Sequence, residues 1–226
     1  MAFSVLRVPF FLEPGYDESK PFIETNRERL IHKWGGKRGW EVQKQRHDLK
    51  GRGLEAGISH FNLDRLAANT MASHRLIQHI GKTYGLAVSE AIYDLLNQYY
   101  FVDGHSLNDK PRLAKVVAAR MQELMPTEAP TKTELLDFLN GDEGREQIMH
   151  ALHALNQLGI HSIPKFIIEG RTVVDGAARS DTFVEIFREI EARGVVQGTA
   201  IFNDVLGVSD EIVEKGSHLP PTSMAA

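Results

Sequence analysis

The chain has 226 residues, of which 42% are hydrophobic and 25% are charged, as in an ordinary soluble globular protein. Its net charge of −4 gives no overall attraction to nucleic acid or to an anionic membrane. No apolar run approaches the ~20 residues that a membrane-spanning helix needs. The chain has no cysteine, which excludes a disulfide framework, a thiolate zinc site and a cysteine nucleophile.

The chain begins with a β-branched and aromatic run over residues 3–12, which predicts a strand ending in a turn at Glu13-Pro14-Gly15. Arg7 and Pro9 interrupt the run, and no basic region or small-residue cleavage site frames it. The pattern therefore favours a strand over a signal peptide.

Helical patterns fill the next 140 residues. Ser19 is predicted to cap a helix that has Pro21 in its first turn and ends at Trp34. A second, more polar helix is predicted from Gly39 to Gly53. Apolar residues at helical spacing predict five further helices, over residues 69–85, 89–102, 111–124, 133–139 and 143–158.

The spacing of apolar residues then changes from that of a helix to that of a strand. Residues 163–176 are predicted to form two short strands around a turn at Glu169-Gly170. Asp181 to Gly194 is predicted to be an amphipathic helix, and a short helix is expected near 201–206 before a disordered end. The predicted organisation is a sheet portion over 3–14 and 159–194, a helical insertion over 17–158 and a C-terminal extension over 195–226.

Four segments carry a family resemblance, in the same order along the chain. They are Pro9-Phe-Phe-Leu-Glu-Pro14, Asn69-Thr-Met-Ala-Ser-His-Arg-Leu76, Gly159-Ile-His-Ser-Ile-Pro-Lys-Phe-Ile-Ile168 and Val173-Val-Asp-Gly-Ala177. Together they resemble the DsbA-like thioredoxin-fold oxidoreductases, and the first two resemble the FrnE-like branch.

The resemblance implies an α/β chain with an incomplete thioredoxin-like fold, a large α-helical insertion and thiol–disulfide oxidoreductase as the family activity. In that family a strand and a helix opening with Cys-Pro-x-Cys precede the segment that matches residues 3–14. Without that unit the chain is predicted to be redox-inactive and its sheet to lack a central strand. An incomplete sequence, another segment taking the strand's place, and a strand from a partner chain all remain open.

By the same resemblance, the Ile163–Pro164 bond is cis and lies in a groove that binds an extended peptide or glutathione. The alternative is a trans proline at the start of an edge strand. Asn69 is predicted to cap its helix, and Thr70 and His74 are grouped with it as ligand-binding residues. A partly buried structural role is the preferred interpretation of His74.

We therefore expect no catalytic residue and no cofactor, with glutathione as a ligand at most. The alternative function is a non-catalytic peptide- or glutathione-binding scaffold. A 2-hydroxychromene-2-carboxylate isomerase or kappa-class glutathione transferase is less favoured, because their key residue also belongs to the missing unit.

A pair of histidines and a basic stretch are interpreted as ordinary surface features rather than as binding sites. His150 and His153 share one side of a helix, but no further ligands accompany them, so no metal site is predicted. The basic stretch Arg27–Arg52 contains Trp34 and Trp40, and two solvated helices anchored by their tryptophans are preferred over a nucleic-acid surface. No nucleic-acid or membrane partner is expected, the location is expected to be cytoplasmic, and a homo-oligomer could cover the sheet edge.

Overall fold

The computed structural model describes residues 3–18, 24–58 and 60–217. Its helices are α1 Asn26–Lys33, α2 Lys37–His47, α3 Leu49–Glu55, α4 Met71–Tyr84, α5 Leu86–Asn97, α6 Lys110–Leu124, α7 Lys132–Asn140, α8 Arg145–Gln157, α9 Ser180–Arg193, α10 Asn203–Leu206 and α11 Asp210–Glu214. A π-helical turn, Gln98–Val102, follows α5. Strands β1, Lys165–Ile168, and β2, Thr172–Asp175, form an antiparallel hairpin.

Helix starts are set by capping side chains. Thr25 and Glu28 form a capping box at α1, in which the Glu28 carboxylate accepts from the Thr25 N–H at 2.7 Å. These bonds lower the pKa of Glu28, since they stabilise its charged form. Thr131 and Glu134 repeat the box at α7. The helices were predicted from apolar spacing, and these caps account for the residues at which α1 and α7 begin.

The polar helix predicted over Gly39–Gly53 is two helices, α2 and α3. The chain breaks at Asp48, which has a left-handed backbone with φ 38°, and its carboxylate accepts from the Gly51 N–H at 3.2 Å. An aspartate that satisfies a first-turn N–H starts a new helix here. The predicted cap at Ser19 and the predicted disordered end lie outside the described residues.

Contacts divide the chain into two compact units. The sheet unit contains the described residues of Met1–Phe10, Gln78–Ala87 and Gly144–Ala226, and the helical unit those of Phe11–Ile77 and Val88–Glu143. Helices α4 and α5 contribute residues to both. The helices of the described ranges do not combine the length and apolar character that crossing a membrane requires.

The core of the helical unit is formed by one face of each of its longer helices. Helices α6 and α7 pack against each other along their lengths. The fully buried side chains are aliphatic or methionine: Leu76, Ile92, Leu113, Val117, Met121, Leu135 and Leu139. The spacing of four residues within α6 and within α7 is part of the amphipathic pattern that predicts the helices from sequence.

The sheet unit is built around a cluster supplied by α5, α8 and the C-terminal segment. Its buried members are Leu86, Ala151, Leu155, Ile160, Phe202, Leu206 and Val208. Ile167 of β1 packs against this cluster from the hairpin. Residues 202–208, predicted to belong to an extension, therefore supply part of the unit's core.

The strand predicted over residues 3–12 is wrong, because this segment pairs with no strand in the described structure. Its side chains still alternate, since Leu6, Val8 and Phe10 pack against the cluster. The alternation of side chains therefore correctly indicated an extended backbone. A β-strand also needs a neighbouring strand with which its backbone forms hydrogen bonds, and this segment has none among the described residues.

Side chains bond to part of this segment's backbone instead. The Gln78 amide donates to the Arg7 carbonyl at 2.7 Å, and the Val5 N–H donates to the Ser217 hydroxyl at 2.7 Å. Ser217 also donates its own N–H to the Phe3 carbonyl at 3.0 Å. These bonds explain why Gln78, a polar residue, is buried on α4.

Candidate functional site

The outer edge of β1 carries unpaired backbone groups. The Gly176 N–H donates to the Pro164 carbonyl at 2.9 Å, so that carbonyl points toward β2. Because hydrogen-bonding direction alternates along a strand, the N–H and C=O groups of Lys165 and Ile167 point to the opposite edge. In the described structure no backbone group pairs with them there. This edge can hydrogen-bond an extended segment.

The Ile163–Pro164 peptide bond, which opens this edge, is cis. Apolar side chains accompany the free backbone groups, since Ile163 is 47% exposed and Phe166 is 41% exposed. The ring of Phe166 meets that of Phe183 on α9 edge-on, with 4.7 Å between centroids. The edge therefore offers both unpaired backbone N–H and C=O groups and apolar side chains to a bound segment.

An ion-paired glutamate holds the turn of the hairpin. Glu169 has a left-handed backbone with φ 55°, which is unfavourable for a residue with a β-carbon. Both of its carboxylate oxygens accept from the Arg193 guanidinium, at 2.6 and 2.7 Å, and one also accepts from the Gln197 N–H at 3.0 Å. The backbone at Gly198 passes so close to the hairpin turn that a β-carbon there would lie 1.8 Å from the Glu169 carbonyl oxygen. Only glycine fits at this position without a shift of the backbone.

Stability is expected to depend on this carboxylate and on pH. The bonds from Arg193 and then Gln197 lower the pKa of Glu169. A lowered pKa in the folded state stabilises the fold above the unfolded value of about 4.3, and this stabilisation disappears as the pH falls through the folded value. Glu169→Gln should therefore have a lower Tm than the natural chain at pH 7, and the difference should shrink in acid.

Thermal unfolding monitored by circular dichroism at neutral and acid pH measures this difference. Glu185→Gln removes an exposed carboxylate from α9 and is the matched control, with no change in Tm expected. An equal Tm for Glu169→Gln and the natural chain at pH 7 would contradict the stabilising role of the pair.

The other predicted binding residues lie at the start of α4, in the helical unit. Asn69 precedes the helix, and its side chain accepts from the Met71 N–H at 2.8 Å while donating to the Tyr16 carbonyl at 2.7 Å. The Thr70 carbonyl accepts the first helical bond, from the His74 N–H at 2.9 Å. Asn69 thus satisfies a first-turn N–H as predicted, from two positions before Met71, the first residue of the helix.

His74 is partly buried against Phe11, with 5.0 Å between ring centroids. The structure therefore brings Asn69, Thr70 and His74 together at one helix start, while Ile163 and Pro164 belong to the sheet unit. Binding by these five residues stays a prediction.

Arg75, within the same motif, is a buried cation that the sequence did not single out. It is 3% exposed, and its guanidinium donates to the carbonyls of Glu143 at 2.7 Å and Phe138 at 2.9 Å. A longer contact of 3.4 Å reaches the Leu139 carbonyl. Since Phe138 and Leu139 lie in the last turn of α7, Arg75 caps the negative end of that helix.

His150 and His153 are exposed on α8. His150 lines an open depression of about 590 Å³, together with Glu146, Asp204 and Val205, and its Nε2 lies 3.8 Å from the Glu146 carboxylate. Within the described ranges no group of three metal-ligating side chains comes together. The depression therefore offers mixed polar groups without the geometry of a metal centre.

A second polar cluster surrounds the π-helical turn. Arg65 is 9% exposed and lies 4.9 Å from the ring centroids of both Tyr100 and Phe101. Burial raises the pKa of Tyr99 to about 12, and its hydroxyl donates to the Ser106 carbonyl at 3.2 Å. The aromatic run of residues 99–101 was the signal for this cluster, which is internal packing rather than a site.

One of three comparisons with known proteins finds a match, and that match concerns the fold. A scan against protein-family profiles finds no match, and a search of curated proteins finds none. Among solved structures, the chain is similar to a crystal structure described as a probable DsbA oxidoreductase from Streptomyces coelicolor. The two share 22% sequence identity with a TM-score of 0.65, over 85% of this chain and 76% of that chain.

Structural similarity at 22% sequence identity shows the fold alone. It does not show the function, because one fold can have many functions. It agrees with the resemblance seen in the sequence and with the small hairpin beside a large helical part. The chain therefore has a DsbA-like fold, in which a thioredoxin-like part is combined with many helices.

Proposed function

We propose that this chain is a redox-inactive, FrnE-like protein that binds an extended peptide along the outer edge of β1. The free backbone groups of Lys165 and Ile167 are the observation that carries the proposal. A peptide that adds a strand to a sheet edge gains main-chain hydrogen bonds there, and its side chains meet the exposed faces of Ile163 and Phe166. Glutathione, which also has an extended peptide backbone, is the smaller alternative ligand.

The lack of a thiol group supports the redox-inactive part of the proposal. Thiol–disulfide exchange proceeds through attack by a thiolate and a mixed disulfide. These 226 residues contain no cysteine, so the chain can form neither. The purified chain should therefore give no insulin reduction and no dithiol oxidation above a buffer control. Activity without any added thiol protein would contradict this expectation.

Peptide binding is tested with fluorescently labelled extended peptides and anisotropy titration. The binders are then resynthesised with single backbone N-methyl groups. Methylation should weaken binding roughly tenfold at alternate residues, since each methyl group removes one ladder hydrogen bond. Methylation at the intervening residues should leave the affinity unchanged. Uniform effects, or no saturable binding of either peptides or glutathione, would exclude strand addition.

A matched pair of variants locates the binding. Ile163→Ser removes apolar contact area beside the edge, whereas Leu158→Ser removes a 57% exposed side chain outside it. Only the first should weaken peptide binding. Thr70→Ala tests separately, in the same titration, whether the start of α4 takes part in binding, and unchanged affinity would contradict that prediction.

A further inference from the structure

Helices α2 and α3 carry a local charge opposite to that of the whole chain. Lys37–Glu55 contains six basic and three acidic residues, a net charge of +3 within a chain of net −4. Exposed charges separated by more than about 10 Å are largely screened from one another at 0.1 M ionic strength. The net charge of the chain is therefore a poor guide to what this surface attracts.

Most of these cations have no ion-pair partner among the described residues. Lys37, Arg38, Arg46, Lys50 and Arg52 are exposed, and none forms an ion pair in the described structure. Lys44 makes only a long contact with Glu41, at 3.9 Å. Five cations are thus available to an external anion.

Exposed aliphatic side chains lie among the cations. Val42 is 56% exposed, Leu49 48% and Leu54 55%. Arg38, Val42 and Arg46 follow each other at intervals of four residues, so they form one line along α2. Lys50 and Leu54 repeat this interval on α3. Each of the two helices therefore carries cationic and aliphatic side chains along one line, Arg38, Val42 and Arg46 on α2 and Lys50 and Leu54 on α3.

We propose that α2 and α3 form a docking surface for an anionic phospholipid bilayer. Val42 and Leu54 would enter the headgroup region, and Arg38, Arg46 and Lys50, which lie on the same lines, would contact lipid phosphates and carboxylates. Interfacial helices bind membranes through this combination of buried apolar area and attraction to anionic lipids. Charge complementarity, with the aliphatic residues between the cations, carries the proposal.

Other anionic partners fit these helices less well. Single-stranded nucleic acid stacks on exposed aromatic rings, but Trp40 is 6% exposed and Trp34 stacks on it at 5.5 Å. A protein groove takes a continuous apolar stripe from one helix, whereas these aliphatic residues are divided between two short helices by the break at Asp48. A bilayer surface accepts dispersed side chains.

The test is co-sedimentation of the full chain with vesicles of phosphatidylcholine, with and without phosphatidylserine. We expect binding only to the phosphatidylserine vesicles. Substituting Arg38, Arg46 and Lys50 together by Gln should weaken binding about a hundredfold, since each cation near an anionic membrane contributes roughly fivefold. The matched control substitutes Lys115, Lys132 and Arg188 by Gln, with the same change in net charge and no expected effect.

A second pair of variants tests the aliphatic residues at constant charge. Val42→Ser with Leu54→Ser should weaken vesicle binding, and Leu158→Ser with Val195→Ser should not. The proposal is overturned if the natural chain does not bind phosphatidylserine vesicles, or if either control weakens binding as much as its test variant. Tighter binding to a single-stranded oligonucleotide or an acidic peptide than to the vesicles would also overturn it.

Discussion

Leu206→Ala is expected to lower the free energy of unfolding by about 3 kcal/mol, as for other fully buried leucines. For a chain of this length that corresponds to a fall in Tm of about 6–12 °C. Leu206 lies in α10, which packs against α8, and it is fully buried among the cluster residues of the sheet unit. Alanine would lose the transfer energy of the removed atoms and leave a cavity that rigid neighbours fill only partly.

Chemical denaturation followed by circular dichroism measures this change. Val195→Ala, at a side chain that is 59% exposed in the same C-terminal segment, should change the stability by no more than about 0.5 kcal/mol. If Leu206→Ala were as mild as this control, residues 202–208 would be a dispensable extension rather than part of the core.

Arg75→Met is expected to destabilise the chain by about 2–3 kcal/mol, within the range for hydrogen bonds made by a charged group. Methionine keeps the apolar stem of the side chain, but it cannot donate to the carbonyls of Glu143 and Phe138. These acceptors would lose the hydrogen bonds that Arg75 supplies at the end of α7.

Arg75→Lys separates charge from geometry. A lysine keeps the cation but lacks the planar fork that reaches several carbonyls at once, so most of the loss should remain. Arg188→Met removes an exposed cation from α9 and should be close to neutral. Urea unfolding of the three variants measures the effect, and full stability of Arg75→Lys would show that only the charge matters.

Local patterns were sufficient for most helices and for the hairpin. The apolar spacing of α4 and α6 and the Glu169-Gly170 turn depend on residues close together in the chain. The ion pair of Glu169 with Arg193 joins residues 24 positions apart, and no local pattern reports such a contact.

The errors have the same physical origin. Residues 3–10 have the side-chain alternation of a strand, but forming one requires a neighbour that a local pattern cannot supply. Residues 202–208 are too short for a clear period, so their burial was not predicted. The buried role of Arg75 was not predicted either, because the carbonyls of Phe138 and Glu143 that it bonds lie 63 and 68 positions later in the chain.

The division into units has a consequence for the order of folding during synthesis. Every residue of the helical unit precedes Gly144, so this unit is fully synthesised while the last piece of the sheet unit is still being made. The sheet unit joins residues 3–10 to partners more than 200 positions later, including the contact between the Val5 N–H and Ser217. Such distant contacts close large loops and form late. The apolar side chains of residues 3–10 therefore stay partly uncovered until Phe202, Leu206 and Val208, which complete the cluster, have been synthesised.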